Sequence, residues 1–140
     1  MSADALAASI YALGTTNNSF NTALGGTALI AGRFTPEGFK TDEVPTKPYA
    51  TYRVLTMAEE DQFRIVIDRA LIQIKCYSDS ESPTEADGIV AKAKDLFHKT
   101  VLSVTGCMGV RLFRANVVPA YREGDFWTSV IDFRTLIQEN

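Results

Sequence analysis

The sequence predicts an α+β domain, a mostly antiparallel sheet built from two hairpins with helices packed on one face. Two pairs of alternating apolar runs, in residues 49–77 and 110–137, are each interrupted by a short polar stretch, which is typical of hairpins. An amphipathic stripe lies between the two pairs, in residues 86–101, and an alanine-rich stretch near the N-terminus also has helical spacing. The order helix, short strand, hairpin, helix, hairpin therefore predicts this fold class.

The composition of the chain limits the classes of protein to which it can belong. It has 140 residues, of which 46% are hydrophobic and 22% are charged. These ordinary globular values predict one domain, residues 1–140, with one hydrophobic core. The net charge of −3 argues against a basic nucleic-acid groove. We expect no membrane partner, because the N-terminus does not resemble a signal peptide and no run approaches the roughly 18 apolar residues that cross a membrane.

The N-terminal part is predicted to be helical. Ser2–Leu13 is rich in alanine and carries apolar residues at helical spacing, and Gly14 ends this pattern. Asn18 or Ser19 is placed to cap a second, short helical turn, because both side chains accept hydrogen bonds from free amides at a helix start. The two helices are expected to turn their apolar residues toward one core.

The first hairpin follows a short strand and a loop. Thr27–Phe34 reads as the short strand, and the proline-rich Thr35–Pro48 reads as the loop. Tyr49–Met57 and Arg64–Tyr77 are rich in β-branched and aromatic residues and form the two strands of the hairpin. A polar stretch between them turns the chain.

The second strand of this hairpin contains a phase change. Its apolar residues lie at odd positions at the start, as in Ile67, and at even positions further on, as in Ile74, and the switch falls near Asp68–Arg69. Because side chains alternate with period two, this predicts a bulge or break there, and an arm over about Tyr52–Asp68 that packs on something other than the core. Alternatively, this strand is central in the sheet and both of its faces are partly covered, which would also explain the phase change.

The clearest helix starts after the acidic stretch SDSESPTE and continues to about Ser103. Its apolar residues form one stripe at i, i+3, i+4 and i+7 spacing. Ser82 at the N-cap, Pro83 at N1 and Glu85 at N3 predict a capping box. A strand–helix–strand connection through Pro83–Ser103 should be a right-handed crossover.

The last two strands form the second hairpin. Val110–Val118 and Phe126–Ile137 alternate, and Pro119–Asp125 supplies the turn between them. In the last strand the odd-numbered apolar residues, among them Trp127 and Phe133, share a face and are expected to enter the core.

No catalytic, metal or cofactor site is predicted. His98 is the only histidine, it lies near a helix end, and no nucleophile motif accompanies it. The acidic cluster from Asp79 to Asp87 has Pro83 in its middle and lacks the glycine of a calcium loop. Gly106–Gly109 has the spacing of a KH loop but joins a helix to a strand. The two cysteines are expected to be reduced thiols. We therefore expect a protein that is not an enzyme.

Three stretches together resemble the tail-completion proteins of long-tailed bacteriophages, also called tail terminators or tail-to-head joining proteins. One is the Pro-Tyr strand start KPYATYRVL at Lys47–Leu55. Another is IKCYSDSESPTEADGIVAKAKDLF, a strand that ends in an aromatic-Ser step before a helix, with Tyr77 where the family often has Trp. The third is the aromatic final strand FWTSVIDFRTLIQEN, which runs almost to the C-terminus.

The resemblance implies a structural virion protein. Such proteins assemble as rings, commonly hexamers, on the head-proximal end of the tail tube, where they stop tube polymerisation and join the tail to the neck or connector. The implied partners are other copies of the chain, the tail tube protein and the connector, with DNA passing through the lumen without sequence-specific binding. The implied place is the tail or neck of the virion, after assembly in the cytoplasm of a bacterial host. Terminator and other neck roles, and contractile and flexible tails, stay open.

Head-to-tail ring contacts join two different patches of the same chain, and a hairpin arm suits such a contact. The candidate partner-contact residues are charged or aromatic residues of the arm and of the second turn: Tyr52, Arg53, Glu59, Glu60, Asp61, Arg64, Asp68, Arg122 and Glu123. The alternative function is a small α+β ligand-binding or regulatory module, since such folds host many functions.

Overall fold

The computed structural model describes residues 3–38, 46–62, 65–104 and 107–139, of which 56–62, 65–69, 107–109 and 137–139 are described by their backbone. Within these ranges the chain forms three helices and six strands. The helices are α1 (Ala3–Gly14), α2 (Ser19–Ala23) and α3 (Thr84–Phe97). The strands are β1 (Phe34–Pro36), β2 (Tyr49–Gln62), β3 (Ile65–Ser78), β4 (Val101–Leu102), β5 (Cys107–Glu123) and β6 (Phe126–Glu139). The predicted α+β class is confirmed.

The six strands form one sheet in the order β1-β2-β3-β6-β5-β4. The sheet is mixed, because β1 runs parallel to β2 while the other four neighbouring pairs are antiparallel. The expectation of an antiparallel sheet built from two hairpins therefore needs correction: β2–β3 and β5–β6 are joined by the β3–β6 pairing, and short strands are added at both edges. The placement of all helices on one face stays a prediction.

The predicted strand at Thr27–Phe34 is wrong, and β1 begins only at Phe34. The Thr27 amide donates to the Ile30 carbonyl oxygen at 2.8 Å, and the Thr27 hydroxyl accepts from the amides of Leu29 and Ile30. These local bonds close a turn, which is how threonine side chains compete with strand pairing. Leu29 is 97% exposed, so the apolar letters of this segment do not mark a buried strand.

Asn21 holds the loop that replaces this strand. Its side chain is buried, accepts from the Gly32 amide at 2.6 Å and donates to the Thr27 carbonyl oxygen at 3.2 Å. The predicted cap of the short helix is confirmed at Asn18, whose side-chain oxygen accepts from the Asn21 amide at 2.8 Å. A buried asparagine with these partners fixes the chain path into β1.

The stripe of α3 is confirmed as far as Phe97, where the helix ends, but the predicted continuation to about Ser103 is wrong, because Val101 is an exposed residue of β4. The buried residues are Ala86, Ile89, Val90, Ala93 and Phe97. The predicted capping box is also wrong. Glu85 accepts from the hydroxyl of Ser78 at 2.6 Å instead of bonding back to Ser82. Ser78 is fully buried at the end of β3, so its hydroxyl requires a partner, and the Glu85 carboxylate supplies one. The Ser82 hydroxyl accepts from the Thr84 amide at 3.3 Å.

The predicted bulge at Asp68–Arg69 is also misplaced. β3 pairs with β6 without a register shift from Ile67 to Ser78, and the shift lies in β2, between Val54 and Thr56. β1 covers β2 only as far as Tyr52, so beyond that point β2 is an edge strand among the described residues. Edge strands accommodate bulges more easily than central ones.

The connection after β3 also differs from the expectation. It passes through α3 to β4, which pairs antiparallel with β5 at the far edge of the sheet. The strand that runs parallel to β3 is β5, and β6 lies between them. The handedness of this crossover stays a prediction.

Four phenylalanine rings form the centre of the core. Phe20, Phe34, Phe97 and Phe133 come from α2, β1, α3 and β6, and each is at most 1% exposed. The Phe97 ring lies 5.9 Å from that of Phe20 and 5.7 Å from that of Phe133, centroid to centroid. These distances suit tilted and edge-to-face packing, so Phe97 joins a helix layer to the central sheet.

Replacing Phe97 by Ala should lower the free energy of unfolding by about 3–5 kcal/mol, because the residue is fully buried among other rings. Urea denaturation followed by circular dichroism measures this loss. Leu29→Ala is the matched control and should change the free energy by less than about 0.5 kcal/mol. A loss below about 1 kcal/mol for Phe97→Ala would contradict this assignment of the core.

Candidate assembly surface

One face of the sheet carries the core, and we call the opposite one the outer face. On the core side, even residues of β3 pair with odd residues of β6, as in Ile74 opposite Ile131, and those from Ala70 to Cys76 and their partners are buried. On the outer face Leu71, Gln73 and Lys75 of β3 are only partly buried. The register then continues this face onto β6 and β5, so the outer face is where a partner can reach the sheet.

The β2–β3 hairpin reaches beyond its neighbours. β6 accompanies β3 only from Ile67, while β2 and β3 pair as far as Gln62 opposite Ile65. We call residues 59–62 and 65–68 the hairpin end. Glu59, Glu60 and Asp61 follow one another along β2 there, and Glu59 stands directly opposite Asp68. The hairpin end is therefore rich in acidic residues.

The structure divides the predicted contact residues between two ends of the sheet. Glu59, Glu60, Asp61 and Asp68 lie at the hairpin end, near the C-terminal end of β6. Arg122 and Glu123 lie at the other end, where β5 meets the start of β6. Arg64 lies outside the described residues. Their contact with partners stays a prediction.

Two of the predicted partner-contact residues lie in β2 and already have contacts within their own chain. Tyr52 is buried, with its ring 4.7 Å from that of Phe34, so it serves the core of the monomer. Arg53 is exposed and its guanidinium lies 3.4 Å from the Glu37 carboxylate, which also lies 3.7 Å from the Lys75 ammonium. Exposed ion pairs of this kind contribute little, about 0–1 kcal/mol, so Arg53 remains available to a partner.

An aromatic cluster occupies the end of the sheet that carries Arg122 and Glu123. The rings of Tyr49 and Tyr77 stack at 4.7 Å, and Phe126 meets Tyr77 edge-on at 5.7 Å. The Lys47 ammonium lies 4.7 Å from the centre of the Phe126 ring. The Arg122 guanidinium lies over the ring of Trp127, and the Glu123 carboxylate accepts from the Thr128 hydroxyl at 3.1 Å. Arg122 and Glu123 are therefore held by this cluster.

Burial raises the pKa of Tyr77 to about 12, with smaller contributions from Tyr49 and Glu123. Because the unfolded chain releases this proton near pH 10, we expect stability to fall as the pH rises from about 10 to 12. Unfolding free energies across this range measure the effect. Tyr77→Phe should remove this part of the alkaline loss, and an unchanged pH dependence would contradict it.

The outward side of β5 is guarded by side chains of α3 and its C-terminal end. β4 pairs with β5 only at Val110 and Arg111. Further along, the Arg114 amide donates to Nδ1 of His98 at 2.9 Å and the Ala120 amide donates to Oδ1 of Asp87 at 2.8 Å. Such bonds occupy edge amides that would otherwise attract a foreign strand. His98, for which the sequence predicts no catalytic role, therefore has a structural role.

Replacing Asp87 by Ala should destabilise the chain by about 1 kcal/mol and increase irregular self-association, because the Ala120 amide loses its acceptor. Asp87→Asn keeps an oxygen at the same place and is the matched control. Denaturation and light scattering of the two variants measure the difference. Equal behaviour of both variants would argue against an edge-guarding role.

Sequence reasoning missed a cluster on the outer face of β5 and β6, which we call the arginine patch: Arg111, Phe113, Arg134 and Leu136. The register places Arg111 opposite Leu136 and Phe113 opposite Arg134. Phe113 is 37% and Leu136 48% exposed, and a groove of about 360 Å³ lies beside them. No carboxylate of the described residues forms an ion pair with either arginine. The run VRLFRANVV is apolar on both faces, so its pattern alone did not show which face is open.

A second groove, of about 500 Å³, lies between α1 and the segment Val101–Val104. Its lining is mainly small and apolar, and its polar side chains are the hydroxyls of Ser9, Thr16 and Ser103. Ser9 already donates to the backbone, with Oγ 3.2 Å from the Ala5 carbonyl oxygen. The groove thus offers few groups that could orient a small polar ligand.

The acidic stretch before α3 shows no metal cluster. Glu85 and Asp87 both accept hydrogen bonds from protein groups, and Asp79 is exposed. In the parts of the chain that the structure describes, no three His, Cys, Asp or Glu residues are grouped so as to hold a metal ion. Among the same residues, no helix has the length and apolar character required to span a membrane.

The chain is similar in fold to a known protein, but no similarity in sequence places it in a family. No family model matches the chain, and no curated protein matches it. Among solved structures, the chain is similar to a protein in the virion of a native gene transfer agent particle. The two chains are 16% identical, the match covers 97% of this chain and 96% of the other, and the TM-score is 0.78. They share a fold.

Proposed function

We propose that this chain is a structural protein of a phage-like virion. The observation that carries the proposal is the shared fold, which extends over 97% of this chain and 96% of the other. A fold alone does not determine function, so the match supports this proposal through the extent of the shared fold.

Within this class, the proposed role is that of a tail terminator. The chain would cap the head-proximal end of the tail tube as a ring, expected to be hexameric, stop tube polymerisation and join the tail to the neck. The junction of β3 and α3 supports this role, because it contains the Tyr77-Ser78 step on which the family resemblance rests. Ser78 is buried there and its hydroxyl donates to the Glu85 carboxylate. The projecting hairpin end also suits a head-to-tail ring.

The proposed partners and place follow from this role. The chain would contact other copies of itself, the tail tube protein and the connector, as one domain over residues 1–140, in the tail or neck of a virion assembled in a bacterial cytoplasm. A net charge of −3 suits a ring that lets DNA pass, because an acidic protein does not retain DNA by general charge attraction.

A small-molecule binding module is the weaker candidate. Its best support is the groove between α1 and Val101–Val104, but the lining hydroxyls are few and two of them, those of Ser9 and Thr16, are engaged with the backbone. A metabolite screen by thermal shift tests it, since a specific ligand raises the melting temperature with concentration.

The tail-terminator role is tested with the purified chain and tail tubes assembled from the tube protein of the same genome. We expect the chain to bind one end of each tube, visible by electron microscopy with a labelled chain, and to stop further growth. Rings in solution at high concentration, seen by light scattering, would add support. A chain that stays monomeric and leaves the tubes free and growing would contradict the proposal.

A further inference from the structure

We propose that the hairpin end of one subunit docks on the arginine patch of the next copy of this chain. This contact rests on the proposed ring assembly and adds to it the two surfaces that meet. The hairpin end is residues 59–62 and 65–68, and the patch is Arg111, Phe113, Arg134 and Leu136 on the outer face. The two surfaces carry opposite charge.

The patch combines exposed apolar groups with unpaired cations. Phe113 and Leu136 stand diagonally across β5 and β6, each opposite an arginine, and both remain substantially exposed. Neither Arg111 nor Arg134 forms an ion pair with a carboxylate of the described residues. A surface with apolar groups between arginines has the composition of a protein interface, where aromatic residues and arginine are enriched.

The hairpin end supplies the opposite charge. It carries four carboxylates, at Glu59, Glu60, Asp61 and Asp68, with Met57 just before them in the sequence. The register sets Glu59 opposite Asp68, and the acidic residues of the hairpin end are opposite in charge to the arginines of the patch. Charge complementarity of this kind selects the partner and fixes the register of docking.

The partner is a second copy because the hairpin cannot reach the patch of its own chain. The pairs Ile67–Gln138 and Arg69–Leu136 hold the base of the hairpin beside β6, in the plane of the sheet. The patch points out of that plane, since its residues lie on the outer face. Folding the hairpin onto the patch would break those pairs. A hairpin that meets a different surface of its neighbour makes a heterologous contact, which closes into a ring when the rotation allows.

Charge exchange between the two surfaces tests the docking. One variant carries Arg111→Glu and Arg134→Glu, a second carries Glu59→Lys, Glu60→Lys and Asp61→Lys, and a third carries all five changes. Each of the first two should raise the concentration for half-assembly, or for half-occupancy of tube ends, by about tenfold or more. The third should recover most of that loss. Lys92→Glu, on the exposed side of α3, is the control and should assemble like the unaltered chain.

Circular dichroism and denaturation establish that each charge variant folds.

A second test measures contact directly, with a cysteine in place of Asp61 on one chain and in place of Arg134 on another chain with a different tag. In a Cys107→Ser background these two chains should form a mixed cross-link, even if assembly in solution is weak. A cross-link within one chain, or none between chains, would overturn the docking.

The outcomes separate this inference from the proposed function. Suppose that the unaltered chain binds tube ends while charge reversal has no effect, or while the variant with all five changes fails to restore assembly. In either case the docking is wrong and the terminator role stands. If the unaltered chain neither forms rings nor binds tubes, the terminator role fails. Salt-sensitive binding to a short DNA duplex that is lost only in the arginine variant would instead assign the patch to nucleic acid and overturn the docking.

Discussion

The pairing of β3 with β6 is the interaction on which the rest of the structure depends. It runs without a shift from Ile67 opposite Gln138 to Ser78 opposite Trp127, and it joins two hairpins that would each be marginal alone. Since side chains alternate, this one register sends Ile74 and Ile131 to the core and leaves Lys75 on the outer face. The same register places the acidic hairpin end at one end of the sheet and the aromatic cluster at the other.

Polar side chains around the sheet fix what the register leaves open. Asn21 sets the path of the chain into β1, and Glu85 receives the buried Ser78 hydroxyl where β3 turns into α3. His98 and Asp87 occupy edge amides of β5. With those amides of β5 occupied, addition of a foreign strand there is disfavoured, whereas β2 remains an edge strand beyond Tyr52 among the described residues.

Much of this arrangement was predictable where the pattern of residues was local and strong. The apolar stripe of α3 and the Asn18 cap follow from helical spacing and capping chemistry, and both are confirmed. The Thr27–Phe34 strand failed because the threonine at its start bonds its own neighbours. The capping box failed because a distant buried hydroxyl, that of Ser78, captured Glu85. The candidate contact residues of the hairpin were identified from their charges, whereas the arginine patch was not, because VRLFRANVV is apolar in both alternations.

The sequence by itself determined the class of the fold, most of its long elements and the acidic character of the first hairpin, because periodicity, capping and turn chemistry act over a few residues. Only the tertiary structure decided that β3 lies beside β6, that β1 joins in parallel, and which face of β5 stays open. Those choices depend on contacts between segments far apart in the chain, such as Phe97 with Phe133 and Asp87 with Ala120. Such contacts leave no local pattern, so the arginine patch became visible only once the strands were paired.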